Sequence, residues 1–479
     1  MSDALSLALN RPVRIDGKAI DDHDWRDVKS PYNGKVIGRV PVCSRDDVDR
    51  AVKAAARALD APMPAWRRAE VLDTAARRLR ERVDEFAATI AGEAAKPLKS
   101  ARIEAERAVS TFTFAATEAR RLTGEMVPMD AADVGEGKLA FTIRVPVGVV
   151  GAISPFNFPL NLVAHKVAPA IAAGCPIVLK PAGQTPLSAI ALADLLLDEC
   201  GLPPEWLHVV TGSGSEIGDA LVTHDDVAYI SFTGSAEVGW SIAAKTPKKK
   251  VRLELGNSTP VVIEPDGDWA TAAQKISVAG FSHAGQSCIS TQRVYVHADV
   301  AADFSAALVE SVEALKTGDP MDPDTDVSQL ISEDDRDRVK AWIDEAWHSG
   351  ARVLAGGNVV DGILQPTVLA DVRPDMRVVR DEVFGPVVAI QTYATLDEGL
   401  RLADDTRYGL QAGIFTARIA TALEAATRLH FGGITVNEVP TWRADHMPYG
   451  GVRESGNTKE GPAWAVREMT EERLVVIQP

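Results

Sequence analysis

Between residues 146 and 256 the chain alternates short apolar runs with helical ones, and this alternation limits the fold more than any other feature. PIVLK (176–180), WLHVVTG (206–212), VAYISFTGS (227–235) and KVRLELG (250–256) have the length and β-branched content of buried strands. LSAIALADLLLDEC (187–200), EIGDALVTH (216–224) and AEVGWSIAAKT (236–246) lie between them with helical spacing. Parallel strands need a crossover of a dozen or more residues, and helices of this length supply one. The pattern therefore predicts parallel α/β units. The second half repeats the style, with a helix ending near Ser282, a strand at RVYVHA, helices over 301–316 and 333–349, and strands at VVAIQTY, AGIFTA and GGITVN. Helical spacing also covers 46–60, 65–92 and 100–123. LAFTIRVPVGVVGAIS (139–154) has strand character after the turn 130-DAADVGEG-137, and 472-ERLVVIQP-479 is a terminal strand. Two α/β domains of similar size, with a small β element over 125–145 and the tail, account for all of this.

Size and charge agree. The 479 residues suffice for about two to four structural units. A net charge of −16 opposes binding to nucleic acid or anionic membranes. The longest apolar tract, 146–179, begins at Pro146 and holds four more prolines (Pro155, Pro159, Pro169, Pro176) as well as His165 and Lys166, which rules against a membrane span. Cys43, Cys175, Cys200 and Cys288 form no CxxC pair, so no disulfide framework or metal site is expected. The start, MSDALSLALNRPVRIDG, lacks the pattern of a secretory signal, and a reducing cytoplasm fits.

Four features carry chemistry. Cys288 in 281-FSHAGQSCIST-291 follows an amphipathic run, where backbone amides can lower a thiol pKa, though a lone cysteine is more often a buried hydrophobe. Glu254 ends an apolar strand, an uncommon place for a carboxylate that is neither paired nor catalytic. Asn157 in 154-SPFNFPLN-161 lies between aromatics and prolines that restrict the backbone, so its amide is either a preset donor or a turn residue. 211-TGSGSEIG-218 and 231-SFTGSAEVG-239 each follow a strand and open a helix. The first is GxGxxxG, one residue longer than the dinucleotide fingerprint. Two such turns on adjacent units suggest a diphosphate near helix N-termini.

Assembled in order, these motifs resemble the aldehyde dehydrogenase superfamily over essentially the whole chain, closest to its lactaldehyde and phosphonoacetaldehyde branch. PFNFP, 179-LKPAGQTPLSA-189, SFTGSAEVG, LELGNSTP, AGQSC, EVFGP (382–386) and MPYGGVRESG (447–456) carry the resemblance. It implies an aldehyde dehydrogenase-like α/β fold with three parts. These are a Rossmann-like NAD(P)-binding domain over 1–124 and 145–253, an α/β catalytic domain over 254–449, and an oligomerisation arm over 125–144 and 465–479 that makes a homodimer or homotetramer. It also implies Cys288 as nucleophile, Glu254 as general base, and Asn157 with the Cys288 amide as oxyanion hole. Ser154, Lys180, Gly183, Gly214, Gly218, Gly234, Ser235, Glu382 and Phe384 would contact NAD or NADP. The implied reaction oxidises an aldehyde to its acid through a thiohemiacetal and a thioester on the cysteine.

Departures from the pattern refine this. Many NAD-preferring relatives have glutamate where this chain has Gly183, which favours NADP or dual use. Asn257 replaces a second glycine after the general base, with no evident consequence at the level of sequence. In relatives that take anionic aldehydes, positions matching Arg107, His165 and Arg443 face the substrate. Ser287, where relatives that bind phosphate-like groups often have arginine, opposes a strongly anionic substrate. The expectation is a short polar or singly charged aldehyde, such as lactaldehyde or a small semialdehyde. The alternatives are phosphonoacetaldehyde, glyceraldehyde 3-phosphate, a CoA-acylating reaction (disfavoured by Glu254), and a thiol hydrolase pairing Cys288 with His283.

Overall fold

The computed structural model describes residues 10–479. Residues 1–9, on which much of the reading of the amino terminus rests, lie outside the described part.

The predicted strands of the first half form one five-stranded parallel sheet. Its spatial order is Lys250–Glu254, Val227–Thr233, Val149–Ile153, Ile177–Lys180, Leu207–Val209. The chain enters at the middle strand, moves outward to one side through Leu207–Val209, then crosses to the other side. Val149–Ile153 is therefore a topological switch point, the place where crevices open at the carboxyl ends of an α/β sheet. Register brings Ile153 beside Lys180 and Phe232, and Thr233 beside Glu254, so the candidate residues stand along one edge.

A second sheet has seven strands, ordered Arg352–Ala355, Thr367–Ala370, Val387–Tyr393, Thr291–His297, Thr259–Ile263, Gln411–Phe415, Gly433–Val436. All its pairs are parallel except that of Arg352–Ala355 with Thr367–Ala370. Each sheet has its own apolar core, one built around Val150, Ile177 and Ile230, the other around Val261, Val294 and Val388. A third, small sheet joins Met126–Val127, Leu139–Pro146 and Thr470–Ile477.

Three expected elements differ. The helix predicted over 65–92 is two, Ala65–Glu81 and Val83–Ala94, broken at Arg82, which leaves helical geometry at φ −122°. Both pieces bury one face in the same core, so the apolar period runs on across the break. The run 139–154 is also two strands in two different sheets, Leu139–Pro146 and Val149–Ile153. Gly148 makes the turn at φ +129°, and a Cβ there would lie 2.9 Å from that of Ala228. Finally, EIGDALVTH opens with a wide turn over Gly214–Gly218 before the helix Asp219–Thr223. The Gly218 N–H reaches back five residues to the Ser213 carbonyl at 3.2 Å. This turn absorbs the extra residue of GxGxxxG.

Among the described residues, no helix is long and apolar enough to cross a membrane.

Candidate active site

The carboxyl edge of the first sheet faces the loops that enter the amino ends of the second. Cys288 lies in such a loop. The helix before it, Trp269–Phe281, ends earlier than Gly285, in a left-handed turn with φ near +51° at His283, +53° at Ala284 and +71° at Gly285. A side chain at Gly285 would collide with the Gly385 carbonyl, so the turn requires glycine there. No helix begins at Cys288. Burial pushes the thiol up to about 12.

Tyr449 opposes that rise, sharing a 2.9 Å hydrogen bond between its hydroxyl and the Cys288 sulfur. Sequence reasoning singled out the loop MPYGG but not this residue; a tyrosine between proline and glycine in a loop carries no periodic signal. Asn157 is buried, and its Nδ2 donates to the Gln286 carbonyl at 2.9 Å, two residues before the cysteine. That bond uses one amide hydrogen and leaves the second. Among the described residues, no acceptor takes the Cys288 N–H.

Glu254 is buried at 5% exposure, and neither carboxyl oxygen has a hydrogen-bond partner. Burial first, then the nearby Glu460 carboxylate, hold its pKa well above the carboxylate range. Glu460 takes the opposite course: burial works against it, but Arg443, His165 and Lys166 keep it ionised. Arg443 donates to Glu460 at 2.9 Å. The arginine favours the charged form of Glu460, and that charge in turn favours the protonated form of Glu254.

A cavity of about 220 Å³ leads to Cys288, with Lys96, Arg107, Phe158, His283, Ser287 and Arg443 in its wall. Arg107 and Arg443 stand where expected, but both are already paired. Arg107 holds Asp445 at 2.8 and 3.2 Å, while Arg443 holds Glu460 and lies 3.9 Å over the Tyr449 ring. Lys96, a third cation, holds Glu104 at 2.5 Å. The other oxygen of Glu104 accepts the Leu160 and Asn161 N–H groups, which fixes the loop bearing Asn157. His165 is a correction. It lies behind the wall, buried at 3%, between Thr111, Asp445 and Arg443, and it does not line the cavity. His283 does line it, with both ring nitrogens unpartnered.

The residues expected at a dinucleotide lie on the far side of the first sheet's edge. Lys180, Gly214 and Gly218 line a slot of about 460 Å³ with Ile153, Val222 and Phe232. Ser154 is buried with an unpartnered hydroxyl, and Ser235 caps the helix Ala236–Lys245 next to Gly234. Glu382 is buried, and burial raises its pKa to about 7 despite the Asn257 N–H that it accepts at 3.0 Å. Phe384 holds φ +48°, a costly conformation outside glycine, with its ring edge-on to Phe156. The structure also explains Asn257. Its side chain bonds Thr259 and the Gln411 carbonyl, and a Cβ on the adjacent Gly256 would fall on the Glu382 carboxylate. An orphaned hydroxyl, a buried lysine without a carboxylate and a carboxylate held by a backbone amide fit the base, ribose and phosphates of a dinucleotide.

Comparison with known proteins shows the family. The family model described as aldehyde dehydrogenase family matches residues 20–475. The chain is 46% identical over 451 residues to 3-sulfolactaldehyde dehydrogenase from Priestia aryabhattai, covering 94% of each chain. It is 38% identical over 468 residues to lactaldehyde dehydrogenase from Methanococcus aeolicus, covering 97% of this chain and 99% of the relative. Its fold superposes with a TM-score of 0.92 on glyceraldehyde-3-phosphate dehydrogenase from Methanocaldococcus jannaschii complexed with NADP, at 37% identity, covering 96% of this chain and all (100%) of that one. The chain belongs to the aldehyde dehydrogenase family, as an NAD(P)-dependent oxidoreductase.

Proposed function

We propose that this enzyme oxidises a short polar aldehyde bearing at most one negative charge, of the lactaldehyde or 3-sulfolactaldehyde type, to its carboxylic acid. One observation supports this substrate class above all: Lys96, Arg107 and Arg443 each already hold a carboxylate, so the cavity has no free cation pair for a dianion. Ser287 beside the nucleophile supplies a hydroxyl instead of a charge.

The Cys288 sulfur adds to the aldehyde carbon to give a thiohemiacetal. Asn157 and the Cys288 N–H stabilise the alkoxide; one such donor contributes about 3 kcal/mol to the transition state. NAD or NADP, when bound, accepts the hydride from that carbon. The resulting thioester is hydrolysed by water whose proton the Glu254 carboxylate accepts, after Glu254 has released its own proton to solvent. In the free enzyme burial favours the protonated forms of both Cys288 and Glu254. The Tyr449 O–H donates to sulfur as the proton leaves. Tyr449→Phe should lower kcat/KM by about tenfold, the scale of one hydrogen bond to a charged group. It should also move the pH midpoint of Cys288 alkylation upward; an unchanged alkylation profile would remove Tyr449 from the reaction.

We also propose the domain division that the resemblance implies: an NAD(P)-binding domain over 1–124 and 145–253, a catalytic domain over 254–449, and an arm over 125–144 and 465–479. We assign the edge Thr470–Ile477, with Leu474, Val476 and Ile477 exposed, to assembly of a homodimer or homotetramer.

A panel of lactaldehyde, 3-sulfolactaldehyde, glycolaldehyde, phosphonoacetaldehyde and glyceraldehyde 3-phosphate tests the substrate class. The neutral and monoanionic members should show the higher kcat/KM. A tenfold preference for either phosphorus-containing aldehyde would overturn the reading.

A further inference from the structure

The loop 154–161 carries Asn157, and little in its own sequence holds it. Pro155 and Pro159 have no N–H to donate. Before Asn157 the loop is tied down by the Ser154 N–H, which donates to the Lys180 carbonyl at 3.2 Å, and by the Thr185 hydroxyl, which donates to the Phe156 carbonyl at 3.2 Å. After Asn157 it runs into the helix Asn161–Ala173, whose cap residue Leu160 offers no side-chain oxygen. Glu104, on the helix Leu98–Arg121, supplies the cap from outside. One of its oxygens accepts the Leu160 N–H at 2.9 Å and the Asn161 N–H at 3.1 Å, and the other accepts Lys96 at 2.5 Å. Lys96 in turn lies 3.6 Å from the centre of the Phe158 ring.

The pair therefore grips the chain at Phe158, Leu160 and Asn161, immediately past Asn157. Its side chains are 1% and 0% exposed. A buried ion pair adds little stability over an apolar pair of the same volume, so stability alone does not account for it. Placement does. An oxyanion donor works only within hydrogen-bond distance of the alkoxide, and a shift of about 1 Å costs about 10²-fold in rate. The Asn157 Nδ2 donates to the Gln286 carbonyl at 2.9 Å, so where its other hydrogen points depends on where the loop backbone stands.

We propose that Glu104, with Lys96 as its counterion, is a positioning residue for aldehyde oxidation: it holds the loop so that the Asn157 amide meets the alkoxide. This rests on the reading of Asn157 as the oxyanion donor. Both oxygens of the carboxylate must accept, one from two backbone N–H groups and one from an ammonium. Glutamine can serve the backbone or the lysine but not both, because its second atom is a donor. Aspartate keeps the charge and falls one methylene short of the helix. Lys96 and Glu104 also stand in the cavity wall, but each has the other as its charge partner, so the pair acts through Asn157 and not on the substrate.

The test is a double-mutant cycle on the full-length enzyme, read as the rate of the first-turnover burst of NAD(P)H with one neutral and one singly charged aldehyde. Asn157→Ala should slow the burst by about 10²–10³-fold, the usual worth of one oxyanion donor. Glu104→Gln should slow it by about 10- to 100-fold, equally for both aldehydes, while NAD(P) affinity changes by less than about twofold. On the Asn157→Ala background the same change should cost less than about twofold, since no amide is left to misplace. Glu104→Asp keeps the charge beside Lys96, so it should fold even where the glutamine variant does not. It should show the same loss alone and the same absence of effect beside Asn157→Ala. Losses that multiply in the double variant would mark a merely structural role and overturn the proposal, as would an unslowed burst in the Glu104 variants. A loss confined to the charged aldehyde would place the pair on the substrate and overturn it too. An undiminished burst in Asn157→Ala alone would remove Asn157 as the donor, and the proposal with it.

Discussion

Cys288→Ala should lower aldehyde oxidation by at least about 10⁴-fold, the scale on which covalent catalysis fails when its nucleophile is removed. NAD(P) affinity should stay within about twofold, because the residues proposed to hold the cofactor, Lys180, Ser154 and Glu382, do not include the thiol. The loss should appear in the first turnover as well as the steady state, since no thiohemiacetal forms. The wild type should show its resting protonation directly. With the thiol pushed to about 12, alkylation of Cys288 by iodoacetamide should still be rising with pH at pH 10. Added cofactor should speed it at fixed pH, because a cationic ring stabilises a thiolate. Residual turnover in the alanine variant above the level of contaminating activity would remove Cys288 as nucleophile.

Glu254→Gln should separate the two half-reactions. Acid release should slow by about 10²–10⁴-fold, the usual worth of a general base, while a single burst of NAD(P)H survives. An undiminished steady-state rate would count against Glu254 as base. The same variant should be more stable than the wild type, with a dependence on pH that identifies the cause. The folded-state pKa of Glu254 is raised above its ordinary 4.5, so the folded protein holds a proton that the unfolded chain releases. Below pH 4.5 both states are protonated, and the carboxyl costs no more than the amide. As pH rises from there toward the folded pKa, the wild type loses stability that the glutamine variant keeps. The gain in Tm should therefore grow as the pH rises above 4.5. A gain independent of pH would point to packing instead. A site that is costly to fold but needed for turnover is the expected trade of stability for activity.

Much of the site was legible because its motifs are local. PFNFP, AGQSC, LELG and EVFGP each place a reactive residue within a few positions of the prolines and glycines that shape its backbone. Strand–helix alternation likewise foretold two parallel sheets, since period and length are properties of short windows. Misplaced boundaries arose where one apolar period spans two elements, as at Arg82, or where a single glycine redirects the chain, as at Gly148.

Other features depend on pairs distant in sequence. Arg107 and Arg443 look like free anion receptors until Asp445 and Glu460 are seen beside them. His165 follows the asparagine motif closely, yet its position on the helix Asn161–Ala173 turns it into the protein interior. Tyr449 reaches Cys288 across 161 residues of chain, and Arg26 reaches Gly183 across 157.

The sequence by itself determined the family and the two-sheet α/β plan, and it singled out Cys288, Glu254 and Asn157 as the candidate nucleophile, base and oxyanion donor, because each is written in a contiguous stretch. Only the tertiary structure decided the direction in which burial shifts Cys288 and Glu254, and the pairing of Arg107 and Arg443 with carboxylates. Those depend on burial and on which carboxylate lies near which cation, and only the packing of distant segments determines either.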